Sequence, residues 1–183
     1  MALDADPFSA LGDNALDVKV YHAHPSGCNA VSWAPALSAS KDGAPVRRIA
    51  TGGCDNLIKI WRYNEEDTQW TQEGNALEGH SDWIRDLSWA QYVGGTGLML
   101  ASCSQDKQVL IWTLENDEWK EPVPVRKEGF AEVVWRVSWS VTGTILAVSS
   151  GDNKVTLFKQ AVDGSWENLN DFDDAAAQGG VAQ

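Results

Sequence analysis

His80, Ser102 and Asp106 are the residue types that an acyl-transfer enzyme uses as base, nucleophile and orienting carboxylate. His24, Thr51 and Asp55 make a second set of the same types in the same chain order. A nucleophilic site needs one such set in one pocket, so two sets at matching places mark repeated architecture instead. His22, His24 and Cys28 raise zinc as a second chemistry, yet no second close pair of ligands follows to complete four-coordination. Cys54 and Cys103 are read as equivalent repeat positions that need small buried residues. Three cysteines without close pairing fit free buried thiols in a reducing compartment. Ten tryptophans raise base stacking. Nine of them, however, fall at repeat-related or strand positions expected to face a core. Lys and Arg number 14 against 26 Asp and Glu, a formal charge of -12 that repels phosphate backbones and anionic headgroups. No catalytic, cofactor-binding or metal-ligating residue is assigned.

The elements that position these residues come in copies. Segments ending in Ser-Trp recur as NAVSW at 29–33, RDLSW at 85–89 and WRVSW at 135–139, each alternating with the period of a half-buried strand. Downstream lie ATGGCDNLIKIW at 50–61, ASCSQDKQVLIW at 101–112 and AVSSGDNKVTLF at 147–158. Asp55 to Trp61, Asp106 to Trp112 and Asp152 to Phe158 are each six positions apart, whereas Trp33 to Asp55, Trp89 to Asp106 and Trp139 to Asp152 span 22, 17 and 13. Insertions therefore fall between the blocks and spare the Asp-to-aromatic unit, as in a fixed hairpin joined by variable loops. An acidic or Gly-containing turn then leads to Trp70, Trp119 or Trp166, which predicts a hairpin into an outer strand. VKVY at 18–21 predicts one more strand ahead of the first copy. The opening MALDADPFSALGDNALD has neither a basic nor an apolar leader region, and no stretch approaches the roughly 18 to 20 apolar residues of a membrane span. A soluble cytosolic protein is expected.

Four short strands per copy, a Ser-Trp near the start and an aromatic closing an Asp hairpin resemble the WD-repeat family of β-propellers. The resemblance implies a buried hydrogen-bond chain in each blade, from Asp to His to Ser or Thr to Trp. The matching residues are Asp55, His24, Thr51 and Trp61 in the first copy and Asp106, His80, Ser102 and Trp112 in the second. The third keeps Asp152 but has Phe130, Val148 and Phe158 at the other places, which implies an apolar substitute. In this setting Ser102 is spent inside a blade. Trp83 has no repeat counterpart, with Gly27 and Val133 at the equivalent loops. It is read as a wedge between blades and as a candidate partner contact on the rim.

GGCDNLIKIW, EGHSDWIRDLSW, ASCSQDKQVLIW, VVWRVSW and GDNKVTLFK, in this order, are similar to the C-terminal half of the Sec thirteen-type WD-repeat family over residues 17–171. The fold expected is all-β, a partial propeller of three four-stranded blades from an open six-bladed ring. Blades are placed at about 17–63, 68–114 and 118–169 with strands shared between repeats, between disordered segments at 1–16 and 171–183. The resemblance implies a non-catalytic scaffold of the COPII outer coat, in endoplasmic reticulum to Golgi transport, and of the nuclear pore Y-shaped complex. Its implied partners donate a propeller blade: the rod subunit of the outer coat and a scaffold nucleoporin. Membrane association would be indirect, through the coat on the cytoplasmic side of the endoplasmic reticulum and its vesicles, with no direct nucleic acid and no cofactor. Alternatives are the Seh one-type pore family and a generic WD adaptor in signalling or ubiquitin transfer. Family members are nearly twice this long, so a fragment or short form is expected.

Overall fold

The computed structural model describes residues 23–35, 46–91 and 97–169, which form strands and turns with no helix. His22, the expected strand at 18–21 and the segments 1–16 and 171–183 lie outside the described residues.

Three antiparallel sheets follow one another along the sequence. The first runs in order through β1 (Cys28–Trp33), β2 (Arg48–Gly53), β3 (Ile58–Asn64) and β4 (Gln69–Gln72). The second holds β5 (Ile84–Trp89), β6 (Leu98–Ser104), β7 (Val109–Glu115) and β8 (Glu118–Trp119), with β9 (Val123–Pro124) also pairing with β7. The third holds β10 (Val134–Trp139), β11 (Ile145–Ser150), β12 (Val155–Gln160) and β13 (Trp166–Asn168). The acidic or glycine-containing turns do lead into outer strands β4, β8 and β13, so each sheet borrows its outermost strand from residues after the closing aromatic.

Register repeats as closely as sequence does. Trp33, Trp89 and Trp139 face Ile49, Leu100 and Leu146 on the neighbouring strand. Each first strand carries a bulge at the same place, between Cys28 and Ala30, Ile84 and Asp86, and Val134 and Arg136. A bulge inserts one unpaired residue and re-aims its side chain; here those residues are Asn29, Arg85 and Trp135. The hairpin after each second strand is equally constant. Asn56, Lys107 and Asn153 have φ of 66°, 68° and 64°, and the Asp before each accepts the amide of Leu57, Gln108 or Lys154. The side-chain carboxylate thereby mimics a backbone turn, which is why the Asp-to-aromatic spacing tolerates no insertion.

The sheets stack with first strands β1, β5 and β10 side by side. Ile58 and Ile60 of the first sheet share a core with Ile84, Leu87, Trp89 and Leu100 of the second. Val109 and Ile111 of the second share another with Val134, Val137, Leu146 and Phe158 of the third. Contact is close enough that a Cβ on Gly52 would lie 2.5 Å from Ile84 Cγ2, so only glycine fits there. Polar pins supplement the apolar contact. Ser32 Oγ accepts the Trp89 amide at 3.1 Å, Asn29 donates to the Ile84 carbonyl at 2.8 Å, and Asp86 accepts the Val137 amide at 3.1 Å.

Two sequence expectations need correction. Of the cysteines, Cys103 alone is fully buried, Cys54 is partly buried and Cys28 is exposed. Counting from the hairpin Asp, Cys103 is equivalent to Gly52, whereas Cys54 is equivalent to Gln105 in the half-buried approach to the turn. Burial pushes the Cys103 thiol well above its ordinary range. The tryptophans are also less uniformly inward than expected, because Trp33 and Trp135, two of the nine expected to face a core, are exposed. In Trp135-Arg136-Val137 strict alternation puts Trp135 beside Val137 on the core face. The bulge moves it to the rim and lets Val134 and Val137 both point inward.

Candidate functional site

In the first sheet the structure brings Asp55, His24, Thr51 and Trp61 together. His24 Nδ1 lies 2.8 Å from Asp55 Oδ1, His24 Nε2 lies 2.9 Å from Thr51 Oγ1, and Trp61 Nε1 donates to Thr51 Oγ1 at 2.9 Å. The second sheet repeats the pattern: His80 Nδ1 to Asp106 Oδ2 at 2.9 Å, His80 Nε2 to Ser102 Oγ at 2.7 Å, and Trp112 Nε1 to Ser102 Oγ at 2.8 Å. In each series the indole N–H donates to the hydroxyl, and the imidazole joins that hydroxyl through Nε2 to the carboxylate through Nδ1; Ser102 Oγ also lies 3.4 Å from the Leu110 carbonyl as a donor.

Asp106 does more than orient a ring. Its carboxylate also accepts the amides of Ser81 and Gln108, each at 2.9 Å, and so ties the loop before β5 to the β6–β7 hairpin. Burial opposes ionisation of this group, but the bonds from His80 and the two amides outweigh it and hold its carboxyl below the usual range. A folded-state value below the unfolded one gives stability that is present above about pH 4 and lost as pH falls through the folded value. The Tm is therefore expected to fall more steeply between about pH 4 and 2 in the wild type than in Asp106→Asn. Parallel curves in a pH series of thermal melts would remove Asp106 from the acid response.

The third sheet keeps the carboxylate and replaces the rest. Asp152 accepts Ser150 Oγ–H at 2.5 Å and the Lys154 amide at 3.2 Å, both within its own hairpin. Phe130 and Phe158 meet edge to face with centroids 5.9 Å apart, in one buried cluster with Val148. Apolar packing thus fills the space that imidazole, hydroxyl and indole occupy in the other two sheets.

As a nucleophile Ser102 is badly placed. It is completely buried, and its oxygen already serves His80 and Trp112. A cleft of about 390 Å³ lies elsewhere, between Val123–Lys127 of the second sheet and Phe158, Ser165 and Trp166 of the third. No member of either His-centred set lines it. Among the described residues no three His, Cys, Asp or Glu side chains are grouped so as to hold a metal.

Trp83 stands on the rim as a half-exposed ring, with the Arg85 guanidinium 5.4 Å from its centroid. The same guanidinium lies 4.8 Å from the Trp135 centroid of the next sheet and donates to Gln105 Oε1. The stack Trp83, Arg85, Trp135 spans two sheets, with Arg85 half-buried between the two exposed rings, and residues 85 and 135 are the bulge positions of their strands. Sequence reading missed Arg85 and Trp135. It also missed Arg48, a buried cation where the other sheets have Met99 and Ile145. Arg48 makes a two-pronged bond to Glu73, at 2.5 and 2.7 Å. A further repeat, of tryptophan pairs, links the Ser-Trp residue to the outer-strand Trp of the same sheet: Trp33 with Trp70, Trp89 with Trp119 and Trp139 with Trp166, centroids 5.7, 5.8 and 5.6 Å apart. Both halves of these pairs were visible as separate motifs.

The family model described as WD domain, G-beta repeat matches residues 16–62, 71–113 and 124–159. Protein SEC13 homolog of Homo sapiens is 49% identical over 181 residues, covering 93% of this chain and 55% of the human protein. Protein transport protein SEC13 of Cryptococcus neoformans is 40% identical over 179 residues, covering 87% and 54%. Its counterpart in Aspergillus fumigatus is 44% identical over 168 residues, covering 88% and 54%. The chain spans about half the length of the curated relatives it matches. With three matched repeats forming three four-stranded sheets, each with its Asp hairpin and closing aromatic, the chain belongs to the WD-repeat family, where it is similar to the SEC13 proteins.

Proposed function

We propose that this protein is a non-catalytic scaffold subunit of the COPII outer coat and of the nuclear pore, acting by offering blade faces to a partner that donates a blade of its own. The observation that carries this reading is the similarity, over most of the chain, to proteins named Protein transport protein SEC13. The geometry supports it in two ways. The polar residues with catalytic potential are consumed within blades, and the third sheet leaves Val155 and Leu157 exposed on its outer face, a wall on which another blade would lie. On this reading the protein reaches the endoplasmic reticulum membrane and its vesicles through the coat, on their cytoplasmic side. Trp83 serves as a wedge between blades two and three, and the free side of its ring is what a rim partner would touch.

Titration of the blade-forming segment of the coat rod subunit tests the proposal. One wall gives part of the apolar burial that two walls give, and each 1.4 kcal/mol lost weakens binding tenfold. The expected result is weak binding that tightens when the N-terminal half of a full-length relative is supplied and disappears when the chain is cut before Phe130. Undiminished binding after that cut would overturn the docking model.

A further inference from the structure

The bulge residues of the first two sheets both reach toward the next sheet, but they are spent differently. Asn29 is consumed: its amide nitrogen donates to the Ile84 carbonyl at 2.8 Å, and its side chain also meets Cys54. Arg85 is not. Its guanidinium lies between the indoles of Trp83 and Trp135, 5.4 and 4.8 Å from their centroids, and donates from Nη2 to Gln105. Its Nε is buried with no acceptor, and among the described residues no carboxylate stands within ion-pair distance of it. A half-buried cation without a counter-charge is costly. Stacking on two indoles offsets part of that cost and leaves the Nε–H unanswered. The surroundings fit one kind of ligand. Trp83 and Trp135 are 45% and 47% exposed, and Trp and Arg are enriched among residues that anchor partners. Arg136, next to Trp135, adds a second cation, its side chain 78% exposed and 3.9 Å from Asp86, whose other oxygen accepts the Val137 amide. Asp82, the acid next to Trp83, is turned to the Trp83 amide at 2.7 Å. Two guanidinium groups framed by indoles match an ionised carboxylate in sign, and a planar fork matches it in shape.

We propose that the rim formed by Trp83, Arg85 and Trp135 docks an acidic peptide segment of a partner protein, one Asp or Glu carboxylate bonding the Arg85 guanidinium while neighbouring side chains of the peptide lie on the two indoles. The site sits at the junction of the second and third sheets, which the chain itself supplies on both sides. It deepens the rim contact given to Trp83 above and rests on that reading, but it makes no use of the outer face of the third sheet, where a donated blade would lie. The formal charge of -12 does not forbid an acidic ligand here. Distant surface carboxylates are screened beyond about 8 Å at physiological ionic strength, whereas the bond to Arg85 forms at contact between partly desolvated groups. The same charge disfavours acidic segments over the rest of the surface, which adds selectivity for this one spot.

The test titrates the full 183-residue chain with pools of acetylated, amidated pentapeptides that have randomised flanks and one fixed central residue, following the indole N–H signals by NMR. The Asp and Glu pools are expected to bind about 10-fold or more tightly than the Asn, Gln and Lys pools, and to shift the Trp83 and Trp135 signals ahead of the other indoles. Arg85→Met keeps a stem between the rings, and Arg85→Lys keeps the charge without the planar fork; both are expected to lose the acidic preference. Circular dichroism checks that each variant folds, and Trp83→Ala, at an exposed ring, is expected to weaken the acidic pools about 10-fold should an arginine variant fail to fold. The blade-forming segment of the coat rod subunit is titrated alongside. Its binding is expected to be unchanged by Arg85→Met, and its failure to bind the wild type would count against the coat reading alone. No binding of the acidic pools, equal binding of acid and amide pools, or a preference for Lys, with the indoles taking a cation, would overturn the proposal. So would an acidic preference that survives Arg85→Met, or a loss of peptide and blade binding together, which would mean that Arg85 acts through the fold.

Discussion

Phe158→Ala is expected to destabilise the protein by about 3 to 5 kcal/mol, the range for removing a large aromatic from a packed core. Phe158 is fully buried among Val134, Val137, Leu146 and Val148 and lies edge to face on Phe130. The indole that other copies place here does not rescue it. Phe158→Trp would bring an N–H to a point where Val148 offers no oxygen, and a buried donor without a partner costs about 1 to 3 kcal/mol. Phe130→His alone is likewise expected to destabilise, by burying an imidazole beside that same valine. Combining Phe130→His, Val148→Ser and Phe158→Trp supplies donor and acceptor together and should recover stability well beyond the sum of the single effects. Denaturant midpoints for the three singles and the triple check this. Simple additivity would show that the third sheet has diverged too far to accept the polar series.

Asp106→Ala is expected to cost about 1 to 3 kcal/mol, because it leaves His80 Nδ1 and the amides of Ser81 and Gln108 without their acceptor. Asp152→Ala should cost clearly less, since its bonds are confined to Ser150 and Lys154 in an accessible hairpin and it faces no imidazole. Comparing the two variants by thermal melts isolates what the His-linked network adds to an otherwise equivalent turn. Equal losses would mean that the hairpin bond alone carries the effect and that the imidazole, hydroxyl and indole are bystanders.

The sheets were legible because their information is local. Asp hairpins with a six-residue spacing, Ser-Trp strand ends and turn-plus-Trp outer strands each repeat three times, and a motif seen three times separates fold from coincidence. The members of the His-centred series were legible for the same reason: His24 and His80 each precede a Ser-Trp tryptophan by nine positions, so a common register was visible before any distance was. The apolar replacement around Phe130 could be read from the same alignment.

Sequence by itself thus determined the element types, their order and which polar residues belong to one blade, since backbone hydrogen bonding and side-chain alternation act over a few residues and are rewritten in every copy. Tertiary structure decided what those elements expose. A one-residue bulge turned Trp135 from core to rim and set Arg85 between two indoles, an outcome that alternation alone assigns to the wrong face. Stacking buried Leu87 and left its counterpart Val31 open, although the two are nearly the same kind of residue. Burial is a property of what lies across a face, and that neighbour is distant in sequence.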